Sequence, residues 1–418
     1  MTLPAPSTDL APARTRAAGR PGSLTMLVHA RYPVGEPRVE REAKAARDAG
    51  RDVEVVCLRE PGEPRREVVD GIRVRRLPVR HRRGVGFALT LLEYVWFAAL
   101  ATVALGARRR APAVVHVHTP PDFLAVAALP LRLRGATVLL DVHDLSPHMY
   151  EARFRPGPAM RAVVGALRAI ERAACAVADR VITVHEPYRR ELVADGVDPD
   201  KVTVVMNSAD ERLIERVRQA VDRDGERPAE QGFVAAYHGT ITHWYGVDLL
   251  VDAIARASER VPGLRGVVLG DGDALDAARA RAAELRVDDR VWFSGAYAPI
   301  EETLRRVAAA GCGVVPNRAS TLNRFALSSK LFEYVALGVP AAVARLDTLA
   351  AHFSDDEVTF FEPDDADSLA EAIAWIASNP EAAREKAARA RERAREYSWR
   401  QNADRYVRLL DGGPPCAG

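Results

Sequence analysis

GFVAAYHGTITHWYG, residues 232 to 246, is a short apolar run that ends in a histidine and a glycine and leads at once into helix-like sequence, VDLLVDAIARA. It is a second beginning. The stretch just before it, ERVRQAVDRDGERPAEQ, is charged and has no strand character. Earlier still, from Leu24 onward, the β-branched runs LTMLVHA, DVEVVCL, AVVHVH, ATVLLDVH, RVITVH and KVTVVMN alternate with helical segments such as VEREAKAARDAG. After it the alternation resumes with LRGVVLG, RVWFSG, GCGVVP, VPAAVA and EVTFF. Continuous apolar strands joined by crossover helices predict parallel sheets covered on both faces, with right-handed connections. The fold class read from this pattern is α/β, with two Rossmann-like, doubly wound domains facing each other across a cleft. Such sheets bind ligands outside the carboxyl ends of their strands, so each domain presents one ligand reader to that cleft. The boundaries follow: a disordered lead at 1–22, a first domain at 23–210, a linker at 211–231 and a second domain at 232–396. Residues 397–418 are expected to form a helix that packs back on the first domain, followed by a tail.

Composition excludes several classes. The chain has 418 residues and is 48% hydrophobic, ample for two or three cored domains. Lys plus Arg number 59 against 57 Asp plus Glu, a balance that calls for no nucleic acid. Cys57, Cys175, Cys312 and Cys416 lie far apart, without the spacing of a zinc site or redox pair, which fits the reducing cytoplasm. The first 22 residues, rich in Pro, Ala and Arg, lack the apolar stretch of a signal peptide. Residues 87–107, FALTLLEYVWFAALATVALGA, are long enough to cross a bilayer, but strand-like runs on both sides make a crossing incompatible with one sheet. Two readings stay open for this stretch. It is either a helix buried against its own sheet or an interfacial helix that docks on anionic lipid through Arg80, Arg82, Arg83 and Arg108 to Arg110, peripheral to the membrane.

Chemistry concentrates at strand ends. In LSSKLFEYVALGVP (327–340), Ser328 and Ser329 are good N-caps, so a helix should start beside Lys330. Free N–H groups, the positive end of the helix dipole and a lysine then converge on a phosphate-sized site. Glu333 falls one turn further along the same face, where a carboxylate can take two hydroxyl hydrogen bonds; the plain alternative is an ion pair with Lys330 on a solvated face. His238, Gly239 and Thr240 close the first strand of the second domain, and glycine permits close approach of a ligand or simply a tight turn. VVLGDGDALD carries Gly270 and Gly272, but Leu275 stands where a dinucleotide fingerprint needs its third glycine, and Asp271 and Asp273 make only a short acidic pair. Asp141, His143 and Asp144 end an apolar strand of the first domain. His116 and His118 share a strand face and, with His143, could chelate a metal, yet His185 is the sole later candidate to complete such a set.

Taken together, EPRVEREAKAARDAG, PDFLAVAAL, LDVHDLSP, YHGTITHWYGVDLL, LGDGD, VPNR and SSKLFEYVALGVP resemble, in order and spacing, the family-4 retaining glycosyltransferases of the GT-B fold, from about Leu24 to Val407. The envelope and exopolysaccharide transferases of that family are the similar subgroup. The resemblance implies a nucleotide-diphosphate sugar as donor, held mainly by the second domain, and a lipid-linked or small-molecule acceptor held mainly by the first. It implies no cofactor and no metal. On the donor side it places Gly239, Thr240, Tyr245, Gly272, Arg324, Leu327, Ser328, Ser329, Lys330 and Glu333. Lys330 and the helix N-terminus would meet the diphosphate, Glu333 the ribose, and His143 the transferred sugar near its reacting carbon, which makes His143, Lys330 and Glu333 the catalytic set. Arg38, in the loop after the first strand, with His118 and Asp144, would line the acceptor side. The sequence departs from the family twice. Phe325 stands where the first glutamate of a Glu-x7-Glu pair belongs, which passes the sugar contacts to N–H groups near Leu327 or to Arg324. HWYG lacks the usual basic residue, which leaves Lys330 and Arg318 to carry the diphosphate charge. A nucleotide-sugar epimerase of the same architecture and a non-catalytic nucleotide-sugar-binding homologue remain alternatives.

Overall fold

The computed structural model describes residues 22–33, 36–81, 86–153, 157–224, 232–321 and 323–413. The lead at 1–21, Arg82 and Arg83 therefore lie outside the described residues, as does the end of the tail.

Two sheets carry the chain. The first has eight strands: β1 (Leu24–Leu27), β2 (Val53–Cys57), β3 (Arg66–Val69), β4 (Ile72–Arg76), β5 (Val114–His118), β6 (Thr137–Val142), β7 (Arg180–Thr183) and β8 (Val202–Val204). Their order is β3-β4-β2-β1-β5-β6-β7-β8. All neighbours run parallel except β3 and β4. That hairpin is turned by Asp70 and Gly71, both at positive φ (50° and 77°), the geometry a two-residue Asp-Gly turn favours. The second sheet has six parallel strands: β9 (Val234–His238), β10 (Arg265–Leu269), β11 (Val291–Phe293), β12 (Cys312–Val315), β13 (Ala341–Ala344) and β14 (Thr359–Phe361). Their order, β11-β10-β9-β12-β13-β14, reverses between β9 and β12 and opens a crevice at the carboxyl ends there.

Helices cover both faces of each sheet. In the first domain, α1 (Pro37–Asp48) follows β1, and α2 (Phe87–Gly106) is the crossover between β4 and β5. The charged stretch read as a linker contains a helix, Glu211–Asp224, whose Ile214, Val217 and Ala220 are buried in the core of the second domain. Its apolar residues recur at helical spacing, and a packed face settles its conformation where local composition alone does not. The C-terminal helix, Trp399–Leu410, returns to the first domain: Tyr406, Leu409 and Leu410 lie in one core cluster with residues of β1, β2 and α1. The chain thus passes between the domains twice, after β8 and again near Tyr397. The two passages are tied together, because Asn402 Oδ1 accepts from Met206 N–H at 2.8 Å and its Nδ2 donates to Ser208 Oγ at 3.2 Å.

Candidate active site

The helix Ser329–Leu337 begins where its caps predict, with Ser328 as N-cap. Ser328 does not cap with its side chain. Its buried Oγ has no hydrogen-bond partner among the described residues. Beside it Lys330 is 8% exposed, and its ammonium lies over the rings of Tyr245 (4.2 Å) and Tyr237 (5.3 Å). Burial lowers the ammonium to about 8, with Glu333 acting in the opposite direction. The solvated Lys330–Glu333 ion pair is not what the structure shows: Glu333 Oε2 instead lies 3.0 Å from His238 Nε2 at the end of β9. A buried cation held by aromatic faces, beside helix N–H groups and an unpartnered hydroxyl, is an anion site in waiting.

Gly239 serves this site differently from the sequence expectation. Its N–H donates to Leu269 O (2.8 Å) and so does not face a ligand. Its φ is +114°, and a Cβ there would come within 2.9 Å of Lys330 Cε, so the glycine makes room for the lysine stem. Gly272 is likewise structural in placement: a Cβ would meet Ile241 O at 2.1 Å, and its N–H bonds to Asp271 Oδ1. Thr240 is exposed at the strand end, with its Oγ1 accepting from Tyr297 Oη at 3.2 Å. Tyr245 takes the place of the missing basic residue as the ring under Lys330.

Other expected donor contacts are engaged elsewhere. Arg318 is bracketed by Asp248 and by Asp364 (3.0 Å), so Lys330 carries the charge for the pair. The exposed Arg324 donates to Asp347 (Nε to Oδ2 3.0 Å), and Leu327 is half-buried against the core. Ser329, the first helical residue, is exposed. Phe325 crosses the cleft. It is buried in the apolar cluster of the first domain, its ring 4.9 Å from His148 and 6.3 Å from Tyr188. Next to the site, a cavity of about 230 Å³ opens at the carboxyl ends of β9, β10 and β11. His238, Gly270, Trp292, Ser294, Tyr297 and Arg306 are among its walls.

On the first-domain side, His143 follows β6, with Asp144 half-buried beside it. Its Nδ1 lies 3.4 Å from Asp141 Oδ2. Burial opposes the charged imidazolium, but Asp141 and Asp144 outweigh it and push His143 up to about 9. Asp144 also faces the donor side: after burial, its charge is the next influence raising the Tyr245 phenol. Arg38 and His118 do not line an open acceptor face. Arg38 is in the first turn of α1, just after Pro37 at the helix start, rather than in a loop, and it is 1% exposed. Its guanidinium holds both oxygens of Asp141 (Nε–Oδ2 2.6 Å, Nη2–Oδ1 3.0 Å) and the Val205 carbonyl (2.8 Å). His118 Nδ1 lies 3.1 Å from Asp141 Oδ2, and His116 Nδ1 lies 2.9 Å from Tyr406 Oη of the C-terminal helix. Burial alone would raise the Asp141 carboxyl, but Arg38, His118 and His143 hold it well below the carboxylate range. Glu42, desolvated by the same cluster, is pushed up to about 8. Glu42, His116, His118 and Asp141 bring four ligand-type atoms within 4.8 Å of one another, yet Arg38 engages both carboxylates, so a cation there would face a guanidinium. These groups form the shelf beneath His143.

Sequence reasoning missed Arg41. It bonds Ser208 O and Asn207 Oδ1 (3.2 Å) and stacks on Trp399 at 5.4 Å, which ties α1 to both interdomain passages. Its i,i+3 spacing from Arg38 on a helix was the available signal.

Residues 35–208 match the glycosyl transferase 4-like domain and residues 219–397 match glycosyl transferases group 1. The chain is a family-4 glycosyltransferase of the GT-B fold. Among relatives, it is 28% identical over 385 residues to the alpha-maltose-1-phosphate synthase of Mycolicibacterium smegmatis, covering 86% of this chain and 90% of that one. Its fold is similar to that of sucrose-phosphate synthase from Thermosynechococcus elongatus (TM-score 0.74, 19% identity, 93% and 98% of the two chains). It is also similar to that of HepE from Anabaena, solved with UDP-glucose (TM-score 0.67, 15% identity, 94% and 100%).

Proposed function

We propose that this glycosyltransferase moves a hexose, with retention of configuration, from a nucleotide-diphosphate sugar to an acceptor in cell-envelope polysaccharide, glycolipid or related biosynthesis. One observation carries the reading: Lys330, buried against two tyrosine rings, stands beside the helix N-terminus and the unpartnered Ser328 hydroxyl. A diphosphate supplies the negative charge and acceptor oxygens that all three lack. The adjoining cavity has aromatic and backbone walls suited to a nucleobase, and Glu333, at 18% side-chain exposure beside His238 of its wall, would take the ribose hydroxyls. The UDP-glucose bound by the Anabaena neighbour fits the same class of donor.

Cleaving the sugar–phosphate bond puts positive charge on the ring and negative charge on the leaving diphosphate. Preorganised donors aimed at the phosphate lower that barrier most. Lys330 and the helix N–H groups do so without a metal ion, and no further cofactor is required by this scheme. His143 is an imidazolium at neutral pH and would repel a ring cation, so its part is to donate a hydrogen bond to a sugar hydroxyl and fix the ring. No side chain is assigned as a covalent nucleophile, and the acceptor attacks from the face the diphosphate leaves.

The test is turnover. Incubating the protein in EDTA with UDP-, GDP- and dTDP-sugars, with and without lipid-linked and small-molecule acceptors, should release nucleotide only when an acceptor is present. The product linkage should keep the donor's anomeric configuration by NMR. Acceptor-free release with an altered sugar would make the protein an epimerase, and binding without turnover would make it a non-catalytic homologue. Activity lost in EDTA and restored by manganese would replace the lysine-centred scheme with a metal.

A further inference from the structure

Helix α2 is apolar on the side that should be wet. Phe97, Ala101, Ala104 and Leu105 face the core, whereas Leu89, Leu92, Val95, Trp96 and Val103 are each half exposed or more. These positions recur at i, i+3, i+4 and i+7, so they form one stripe along roughly 21 Å of the helix. Leu133, in the turn after a neighbouring short helix, is 87% exposed. The helix is long and apolar enough to cross a bilayer. It cannot do so in this fold, since it joins β4 and β5, parallel strands of one sheet.

Cations mark both ends of the stripe, and among the described residues the exposed face of the helix between them carries no acid. Arg80 precedes the helix, leaning on Glu60 at 3.5 Å with 60% of its side chain exposed. Beyond the other end, Arg109 and Arg110 are exposed, and Arg134 donates to the carbonyls of Gly106 (3.4 Å) and Arg109 (2.9 Å). The helix's one acid, Glu93, turns toward His29 (3.1 Å) and His81 (2.8 Å). A second copy of the chain is a poor occupant, because pairing two such helices in either direction sets arginine against arginine. Anionic headgroups complement both ends while acyl chains receive the stripe. His29 lies just past β1, at the strand ends that face the cleft, so the first half of α2 borders the side where His143 stands.

We propose that α2 is an in-plane docking helix for an anionic lipid surface, which holds the acceptor side of the cleft at the bilayer. The docking stands by itself; that the acceptor arrives from the membrane rests on the glycosyl-transfer reading above. Sedimentation of the full chain with phosphatidylglycerol-containing vesicles at low salt should exceed that with phosphatidylcholine alone by on the order of tenfold. High salt should release part of the bound protein. Leu92→Glu with Trp96→Glu should lower partitioning by on the order of tenfold, and Arg109→Ser with Arg110→Ser should remove much of the salt-dependent part. Nucleotide-sugar binding should stay intact in both variants. The proposal is overturned if the wild type ignores anionic vesicles, if it binds both compositions equally, or if the glutamate variant sediments as the wild type does. It is also overturned if that variant converts a dimer to a monomer, which would make the stripe a subunit interface. Vesicle binding by a protein that binds no nucleotide sugar would sink the transferase reading and leave the docking in place.

Discussion

Replacing Lys330 by methionine should make the free protein more stable and a worse donor binder. Burial drops the ammonium from 10.5 to about 8, so holding it charged at neutral pH costs about 3 kcal/mol relative to the unfolded chain. Methionine keeps the stem's packing and removes that cost, while it forfeits the contacts with Tyr245 and Tyr237, worth about 1–2 kcal/mol when desolvated. The net expectation is a gain of about 1–2 kcal/mol at pH 7 by denaturant titration. The sign with pH is fixed: the folded value is depressed, so the unfolded state binds more protons between about 8 and 10.5. Wild-type stability should therefore gain a component that rises through that window and that the variant lacks. Donor binding should move the opposite way. Loss of a charge-assisted contact to diphosphate costs about 1.5–3 kcal/mol, roughly ten- to over a hundredfold in Kd by calorimetry. Wild-type affinity should itself weaken above pH 8 as the free lysine loses its proton. A variant that is less stable at pH 7 and binds donor normally would refute both the burial cost and the diphosphate assignment.

Gly239→Ala should fold with a penalty of about 1–3 kcal/mol from the backbone at φ +114°. It should also displace the Lys330 stem and lose donor affinity, so unchanged affinity in a folded variant would show that the close approach is incidental. Asp141→Asn should cost up to about 3–5 kcal/mol at pH 7 by taking the bidentate carboxylate from buried Arg38, with Glu42 (3.3 Å) left as its one acidic partner among the described residues. Because Asp141 is depressed, that contribution is present above its unfolded value and lost as pH falls below it. The gap between variant and wild type should therefore narrow in acid, and His143 should titrate below about 9 by NMR.

Much of the site was legible because it sits at segment ends. Strand runs, the second beginning at residue 232 and the serine caps before Lys330 are local signals, and local chemistry decides them. What escaped depends on partners distant in sequence. Arg38 reads as a loop cation until Asp141, 103 residues away, is seen to hold it. Gly239 and Gly272 read as glycines for a ligand's approach, whereas the space a Cβ would need is taken by the Lys330 stem at the first and by the Ile241 backbone at the second. The Asp70–Gly71 hairpin did carry a local signal, a two-residue turn between short strands, but those strands are only four and five residues long and rich in arginine.

The returning C-terminal helix has a consequence for synthesis. Tyr406, Leu409 and Leu410 fill the interior beside β1 and β2, and Tyr406 supplies the partner of His116. A ribosome makes those residues about 350 positions after the strands they cover. The first domain therefore emerges with an open seam over β1 and α1, and it is the second domain, whose core needs nothing from the final helix, that can close first.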